Sequence, residues 1–351
     1  MRSTAILLVV ISHSGVFLKL SHPDFPFIPT PDGVDLFFVL SGFLIGSILI
    51  KKTEEDQNFN LSMVLQFLKR RWFRTLPNYF LFLFINILLI YLGLIHGELN
   101  KYLCTYFVFF QYFFKPYDFL FWESWSLCVE EWFYVLFPFC LMIVFKLVSK
   151  KITPQRNILF TILLFVLLPL LYRIFNPSLH DDVDLWYRKL ALTRLDTIGF
   201  GLLGAYFYAY HRIYWEKLKT PLFVLGACFI LYLINFNLGA SPVFYRTFYF
   251  SVTGLSILFL LPLLNSFKTE TIPFKPFQFI SKISYSMYLV NIPLIQLTES
   301  LWNEKQQERE VFYYIIFWLV LILISFLVYR FFEKPFTDLR DKKTKNKFIE
   351  Y

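Results

Sequence analysis

The sequence predicts an all-α protein, a polytopic transmembrane helix bundle with about ten spanning helices plus one re-entrant or interfacial helix. Three observations predict it. Of 351 residues, 57% are hydrophobic and 17% charged, against about half and about a quarter in soluble domains. Aromatic residues reach 22%, with 46 Phe, more than one water-facing core could cover. Apolar runs long enough to cross a bilayer as helix recur along almost the whole chain. Soluble-enzyme, secreted-domain and disordered-chain readings are excluded.

The runs lie at 4–20, 34–50, 77–95, 102–115, 129–147, 157–175, 194–211, 221–238, 245–266, 283–300 and 311–332. The first follows Arg2 as a signal peptide would, but it contains His13 and no small-residue cleavage site follows. The run at 102–115 is short, aromatic and bounded by Lys101 and Lys115-Pro116. Whether it crosses sets the parity of everything after it, and the charges decide. Basic clusters stand at Lys51–Arg74, Lys146–Arg156, Arg212–Lys219, Lys268–Lys282 and Lys334–Lys347. The segment 176–187, with Asp181, Asp182 and Asp184, is poor in Lys and Arg. All five clusters share one side only if 102–115 does not span, which gives ten crossings, both termini cytoplasmic and an outer-face helix at 102–115. Residues 1–335 then form the bundle and 336–351 a basic cytoplasmic tail.

The net charge of +9 sits in these inter-span segments, so nucleic-acid binding is not expected. Cys104, Cys128, Cys140 and Cys228 lie in or beside apolar runs without metal-ligand spacing, and read as small buried hydrophobes. No metal site is expected.

Ionisable groups inside spans are costly unless paired or solvated, so they are the candidates for chemistry. Arg2 and His13 are eleven positions apart, about 1100° of helix and so one face, with His13 about 16 Å deeper. This places Arg2 at the cytoplasmic surface and His13 near mid-membrane. A neutral imidazole there serves either as a hydrogen-bonded link between helices or as a general base. Asp35 opens the second run, where a carboxylate at a helix start is also favoured by the dipole. Arg71 and Arg74 are three apart and point the same way, a guanidinium pair suited to phosphate or to anchoring at a cytoplasmic mouth. In Trp122–Tyr134, Glu130 and Glu131 are adjacent and cannot face one direction, so one turns to the interior and one to the outer rim. Trp125 suits sugar stacking or interfacial anchoring. Arg194, Asp196, Ser284, Tyr285, Ser286 and Tyr288 complete the polar set.

Taken together, these segments resemble the membrane acyltransferase-3 family, whose members acylate cell-envelope glycans and other acceptors. The matches are Arg2 with His13, GVDLFFVLSGFLI at 33–45, RRWFRTLP at 70–77, WSLCVEEWFYVLFP at 125–138, RLDTIGFG at 194–201, SYSMYL at 284–289 and FEKPF at 332–336. They occur in family order across essentially the whole chain. The resemblance implies His13 as catalytic histidine with Arg2 as its companion, and Arg71 and Arg74 as acyl-donor arginines. Glu130 matches the family's most persistent carboxylate and Asp35 the acid of its second span. It implies a multi-pass bacterial cell-membrane protein whose co-substrate is acyl-CoA, with acetyl-CoA the first expectation, and no tightly bound cofactor. The acceptor is an envelope glycan or lipid-linked sugar reached beside Trp125, Asp35 and Glu130, with Glu131, Ser284 and Tyr288 in support. Glu130 or Arg2 is expected to orient the His13 ring or to stabilise charge, and transfer is either direct or through an acyl-enzyme. The family's tenth-span motif commonly ends in His where this chain has Asn291, and Met1 directly precedes Arg2. Without an appended hydrolase-like domain, the bundle is expected to complete transfer itself or to pass acyl groups to a partner. The rival from another class is a secondary transporter or glycan flippase using His13 and Glu130 as a proton relay.

Overall fold

The computed structural model describes residues 1–21, 32–55, 59–148, 153–176, 182–235, 242–267, 275–300 and 310–345. Lys150, Lys151, Asp181, Lys268 and Lys347 lie outside the described residues. Among the described residues every regular element is helical. The helices are α1 (Arg2–Ser21), α2 (Gly33–Glu55), α3 (Leu61–Tyr91), α4 (Cys104–Phe107), α5 (Ser124–Val148), α6 (Pro154–Phe175) and α7 (Leu195–Tyr210). They continue with α8 (Arg212–Lys217), α9 (Lys219–Ile234), α10 (Pro242–Phe244), α11 (Phe250–Ser266), α12 (Lys275–Ser300), α13 (Glu310–Val328) and α14 (Lys334–Lys345). Asn60 caps α3 by accepting from the Met63 amide at 3.2 Å. Pro154 opens α6 where its missing N–H costs nothing. Prolines lie inside α3, α5, α6, α11 and α12, which helices in lipid tolerate more readily than soluble ones.

Six helices are long and apolar enough to cross a membrane: Gly33–Glu55, Leu61–Tyr91, Ser124–Val148, Pro154–Phe175, Pro242–Ser266 and Val311–Leu339. The last two are continuous through π-helical turns at Tyr245–Tyr249 and Tyr329–Glu333. Helices α7 and α9 have 16 residues each, about 24 Å, short of a hydrocarbon core of about 30 Å. The run at 102–115 forms no spanning helix, and the interfacial helix expected there is also absent. Its regular structure is a 3₁₀ turn at Lys101–Leu103 and the four residues of α4. Phe109, at φ 58°, turns the chain back, and its carbonyl accepts from the Trp132 indole at 2.6 Å. The Tyr79 hydroxyl donates to the Tyr106 carbonyl at 2.7 Å. Side-chain donors on α3 and α5 therefore satisfy backbone carbonyls that a helix would have bonded itself.

The bundle is ordered by neighbour contacts as α9, α11, α7, α2, α1, α12 and α13, with α5 and α6 against α7 and α3 against α5 and α12. The tightest pair is α2 with α7. Gly42 and Gly201 face each other there, and a Cβ on either would collide with the Ile198 or Val39 carbonyl. Small residues give helices in lipid the close backbone approach that drives their association. Phe133, Phe137 and Phe165 interlock α5 with α6, the centroid separations being 5.3–5.7 Å.

Candidate active site

A cavity of about 100 Å³ runs along the inner faces of α2, α3, α5 and α12. Lys51 and Lys146 mark one end of these helices, and Asp32 with Glu123 mark the other. Toward the lysine end the cavity is lined by Arg2, Arg71, Arg74, Thr75, Glu130 and Tyr134, and toward the other by Val34, Phe38, Ser126 and Tyr288. Ser284 and Tyr285 line it between. The helix spacing of Arg71 and Arg74 brings both to it, and Arg2 joins them from the start of α1. All three are half-buried, and none forms an ion pair among the described residues. The Arg71 guanidinium lies 5.7 Å from the rings of Phe67 and Tyr134.

Both glutamates of the 130–131 pair face the interior, which corrects the expectation that one reaches the outer rim. A step of about 100° on α5 aims them at two different neighbours. Glu130 accepts from Ser41 on α2 and from Tyr134, each at 2.8 Å. Glu131 accepts from Thr75 on α3 at 2.7 Å. Arg2 shares the cavity with Ser41, ten residues from Lys51 on α2, so it stands about 15 Å inside the bundle end rather than at its surface.

The cavity stops at a latch. Tyr288 donates its hydroxyl to the Glu123 carbonyl at 2.9 Å, so it accepts from Ser126 at 2.6 Å. Ser284 points its hydroxyl at the Ser281 carbonyl, 3.0 Å away. His13 is not among the lining residues. It lies beyond the latch, half-buried, with Nδ1 2.6 Å from Oδ1 of Asn291. The ring's partner is therefore Asn291, neither Glu130 nor Arg2, because α12 passes α1 at this level while Arg2 is about 16 Å away along the helix.

Around His13 the bundle end is closed by charge pairs. Asp32 accepts from Arg188 at 2.8 Å, Arg188 also meets Asp184 at 3.0 Å, and Lys189 joins Asp118 at 2.7 Å to Asp184 at 3.0 Å. Burial pushes the Asp32 carboxyl up, but the charge of Arg188 and its hydrogen bonds outweigh this and hold it below its ordinary value. Glu123 lacks such help. Neither carboxylate oxygen has a hydrogen-bond partner among the described residues, and burial pushes its pKa up to about 8.

Asp35 and Trp125, expected on the acceptor side, are enclosed in packing. Asp35 is bound by Arg194, whose guanidinium lies 4.1 Å from the Phe250 centroid. Trp125 is buried, with Phe38 against it edge-on at 5.9 Å and the Arg188 guanidinium 5.0 Å from its ring. Its faces are taken, so it offers no open platform for a sugar. Beside Asp35, Arg173 and Asp196 form a fully buried pair at 2.6 Å, completed by Ser251. Sequence reasoning missed Arg173, although a lone arginine in the run 157–175 was the signal. It also missed Ser41, Thr75 and Tyr134, ordinary in apolar context, and Glu333 of the FEKPF motif. Glu333 is buried and accepts from Ser286 at 2.8 Å and Asn78 at 3.1 Å. Among the described residues no three His, Cys, Asp or Glu side chains group to hold a metal. Cys128 is buried, whereas Cys104 and Cys228 are exposed on the bundle surface.

The comparisons with known proteins agree with the motif order. A family model described as an acyltransferase domain matches residues 1–330. The peptidoglycan O-acetyltransferase OatA of Listeria monocytogenes is 28% identical over 378 aligned positions, covering 100% of this chain and 56% of its own length. The O-acetyltransferase OatA of Staphylococcus aureus is 30% identical over 329 positions, covering 86% of this chain and 52% of its own. The chain thus spans about half the length of the curated relatives it matches. No solved structure matches. With a family model over nearly all its helices, the chain belongs to the acyltransferase-3 family and is a multi-pass membrane protein.

Proposed function

We propose that this chain is a membrane O-acetyltransferase that takes acetyl from acetyl-CoA at its cytoplasmic side and delivers it to a hydroxyl of a peptidoglycan glycan outside. The observation that carries this is the trio Arg2, Arg71 and Arg74, half-buried at one end of the cavity and, among the described residues, in no ion pair. Burying guanidinium charge without an anion is costly, so the site suits a ligand that supplies one. Planar forks bind phosphate oxygens bidentately. The positive-inside rule makes the lysine end cytoplasmic, and α1, α7, α9 and α12 join the six long helices to give ten crossings. The end of α13 then faces the cytoplasm.

In this reading the phosphates of acyl-CoA meet the arginines, and the pantetheine arm extends past Glu130 toward Ser126 and Tyr288. The latch opens to bring the thioester to His13. The acceptor hydroxyl gives its proton to the imidazole as its oxygen attacks the thioester carbonyl. A C–O bond forms, the C–S bond breaks, and the departing thiolate takes the proton back from the ring. A positioned general base contributes about 10²–10⁴-fold. Relatives named as peptidoglycan O-acetyltransferases support the choice of acceptor.

The test is transfer of radiolabelled acetyl from acetyl-CoA to base-labile ester on cell-wall glycan, using membranes carrying wild type or His13→Ala. Label with wild type and loss of about 10²-fold or more in the variant supports the assignment. Equal labelling removes His13 from the chemistry. No labelling by folded wild type removes the donor or the acceptor.

A further inference from the structure

We propose that Asn291 is a positioning residue that fixes the tautomer of His13, keeping the proton on Nδ1 and leaving Nε2 as the base. The inference rests on the role of His13 proposed above. Its ground is the orientation of one amide. Asn291 is fully buried on α12. Its Nδ2 donates to the Met287 carbonyl at 3.3 Å and to the Tyr288 carbonyl. Turned over, the amide would aim its oxygen at two carbonyl oxygens and lose both bonds. The helix backbone therefore holds Oδ1 toward α1, where it meets Nδ1 of His13 at 2.6 Å.

An amide oxygen only accepts, so Nδ1 must donate. A neutral imidazole carries one N–H, and the lone pair is then on Nε2. Asn291 does this without adding charge. The charged groups facing the ring from other elements are Asp32, ahead of α2, and Arg188, between α6 and α7. These two are already paired with each other. From α13, the Tyr314 hydroxyl meets the neighbouring Ser14 at 3.2 Å. The ring is thus oriented by a neutral partner. A carboxylate in the same place would hold the same tautomer but favour imidazolium.

The chain has five histidines, few enough for a direct reading. Full-length protein labelled with ¹⁵N-histidine in micelles would be studied by long-range ¹H–¹⁵N correlation above the ring's titration, with His13→Gln assigning its signals. We expect Nδ1–H in wild type and a gain of Nε2–H in Asn291→Ala. The same variant should lose about 10- to 100-fold in kcat, less than the roughly 10²–10⁴-fold a general base contributes, with KM for acetyl-CoA unchanged. Asn291→Asp should keep Nδ1–H and move the acid limb of the pH–rate profile to higher pH. Should Asn291→Ala not fold, the wild-type spectrum and Asn291→Asp decide alone. Nε2–H in wild type overturns the inference, as does an Asn291→Ala protein with unchanged tautomer and rate. Nδ1–H in a wild type that transfers no acetyl leaves Asn291 as the tautomer-setting group and overturns the function proposed for the ring.

Discussion

The two ends of the bundle treat arginine in opposite ways. Toward the Asp32 end, Arg173, Arg188 and Arg194 each have a carboxylate, and Arg173 and Arg194 are fully buried with theirs. Toward the lysine end, Arg2, Arg71 and Arg74 line open space, and the nearby Glu130 is committed to Ser41 and Tyr134. The first arrangement is complete within the chain and holds helices together. The second has guanidinium groups with unused hydrogen-bonding capacity, the condition for taking an anion from outside. A charge inside a membrane bundle is therefore informative only together with its partner.

The sharpest way to break this comparison is to remove one arginine from each set. Arg173→Ala leaves Asp196 buried without its cation, and roughly 3–5 kcal/mol of stability should be lost. Fluorescence-detected size exclusion after heating would show it as a large loss of monodisperse protein. Arg71→Ala should leave that profile unchanged, since like charges nearby lose a repulsive neighbour. Its effect should fall on acyl-CoA binding instead, weaker by about 10- to 100-fold, as expected for one charge-assisted contact of about 1.5–3 kcal/mol. Equal loss of stability in both variants would end the distinction.

A third test uses Glu123, a carboxylate at the paired end with no hydrogen-bond partner for either oxygen among the described residues. Its pKa is raised from 4.5 to about 8, so the folded state binds its proton more tightly than the unfolded chain does. The associated stability is fully present below about pH 4.5 and is lost as pH rises through about 8. Thermal unfolding of wild type should slope downward across this window, and Glu123→Gln should flatten the slope. The smallest effect belongs to Tyr288→Phe, which removes the latch bonds at a cost of about 1 kcal/mol. It should raise hydrolysis of acetyl-CoA in the absence of acceptor by severalfold, and an unchanged hydrolysis rate would assign the latch to packing alone.

Much of this organisation was legible in the sequence because it depends on local pattern. Apolar runs place the long helices, and the three-residue spacing of Arg71 and Arg74 puts both on the cavity. What could not be read is which helix meets which. His13 and Asn291 are 278 positions apart, and no periodicity joins them. Asp35 reads from the sequence as an acceptor-side acid, but its partner Arg194 is 159 positions away. Glu130 and Glu131 were misjudged for a related reason. Their directions on α5 were correct, but a neighbour on each side turns both directions into interior ones. The segment at 102–115 misled through composition, since its aromatic residues pack as turns fixed by Phe109 and Tyr106 rather than as a helix.

The glycine contact between α2 and α7 has a mechanical consequence. With Gly42 and Gly201 touching through backbone, there is no layer of side chains between the two helices to slide or repack. Because α2 supplies Val34, Phe38 and Ser41 to the cavity wall, that wall is anchored to α7 through backbone contact. The facing wall, α12, carries Tyr288 and Asn291 three residues apart and so on one stripe. On the function proposed above, a displacement of that stripe would alter the Tyr288 bonds and the partner of His13 together.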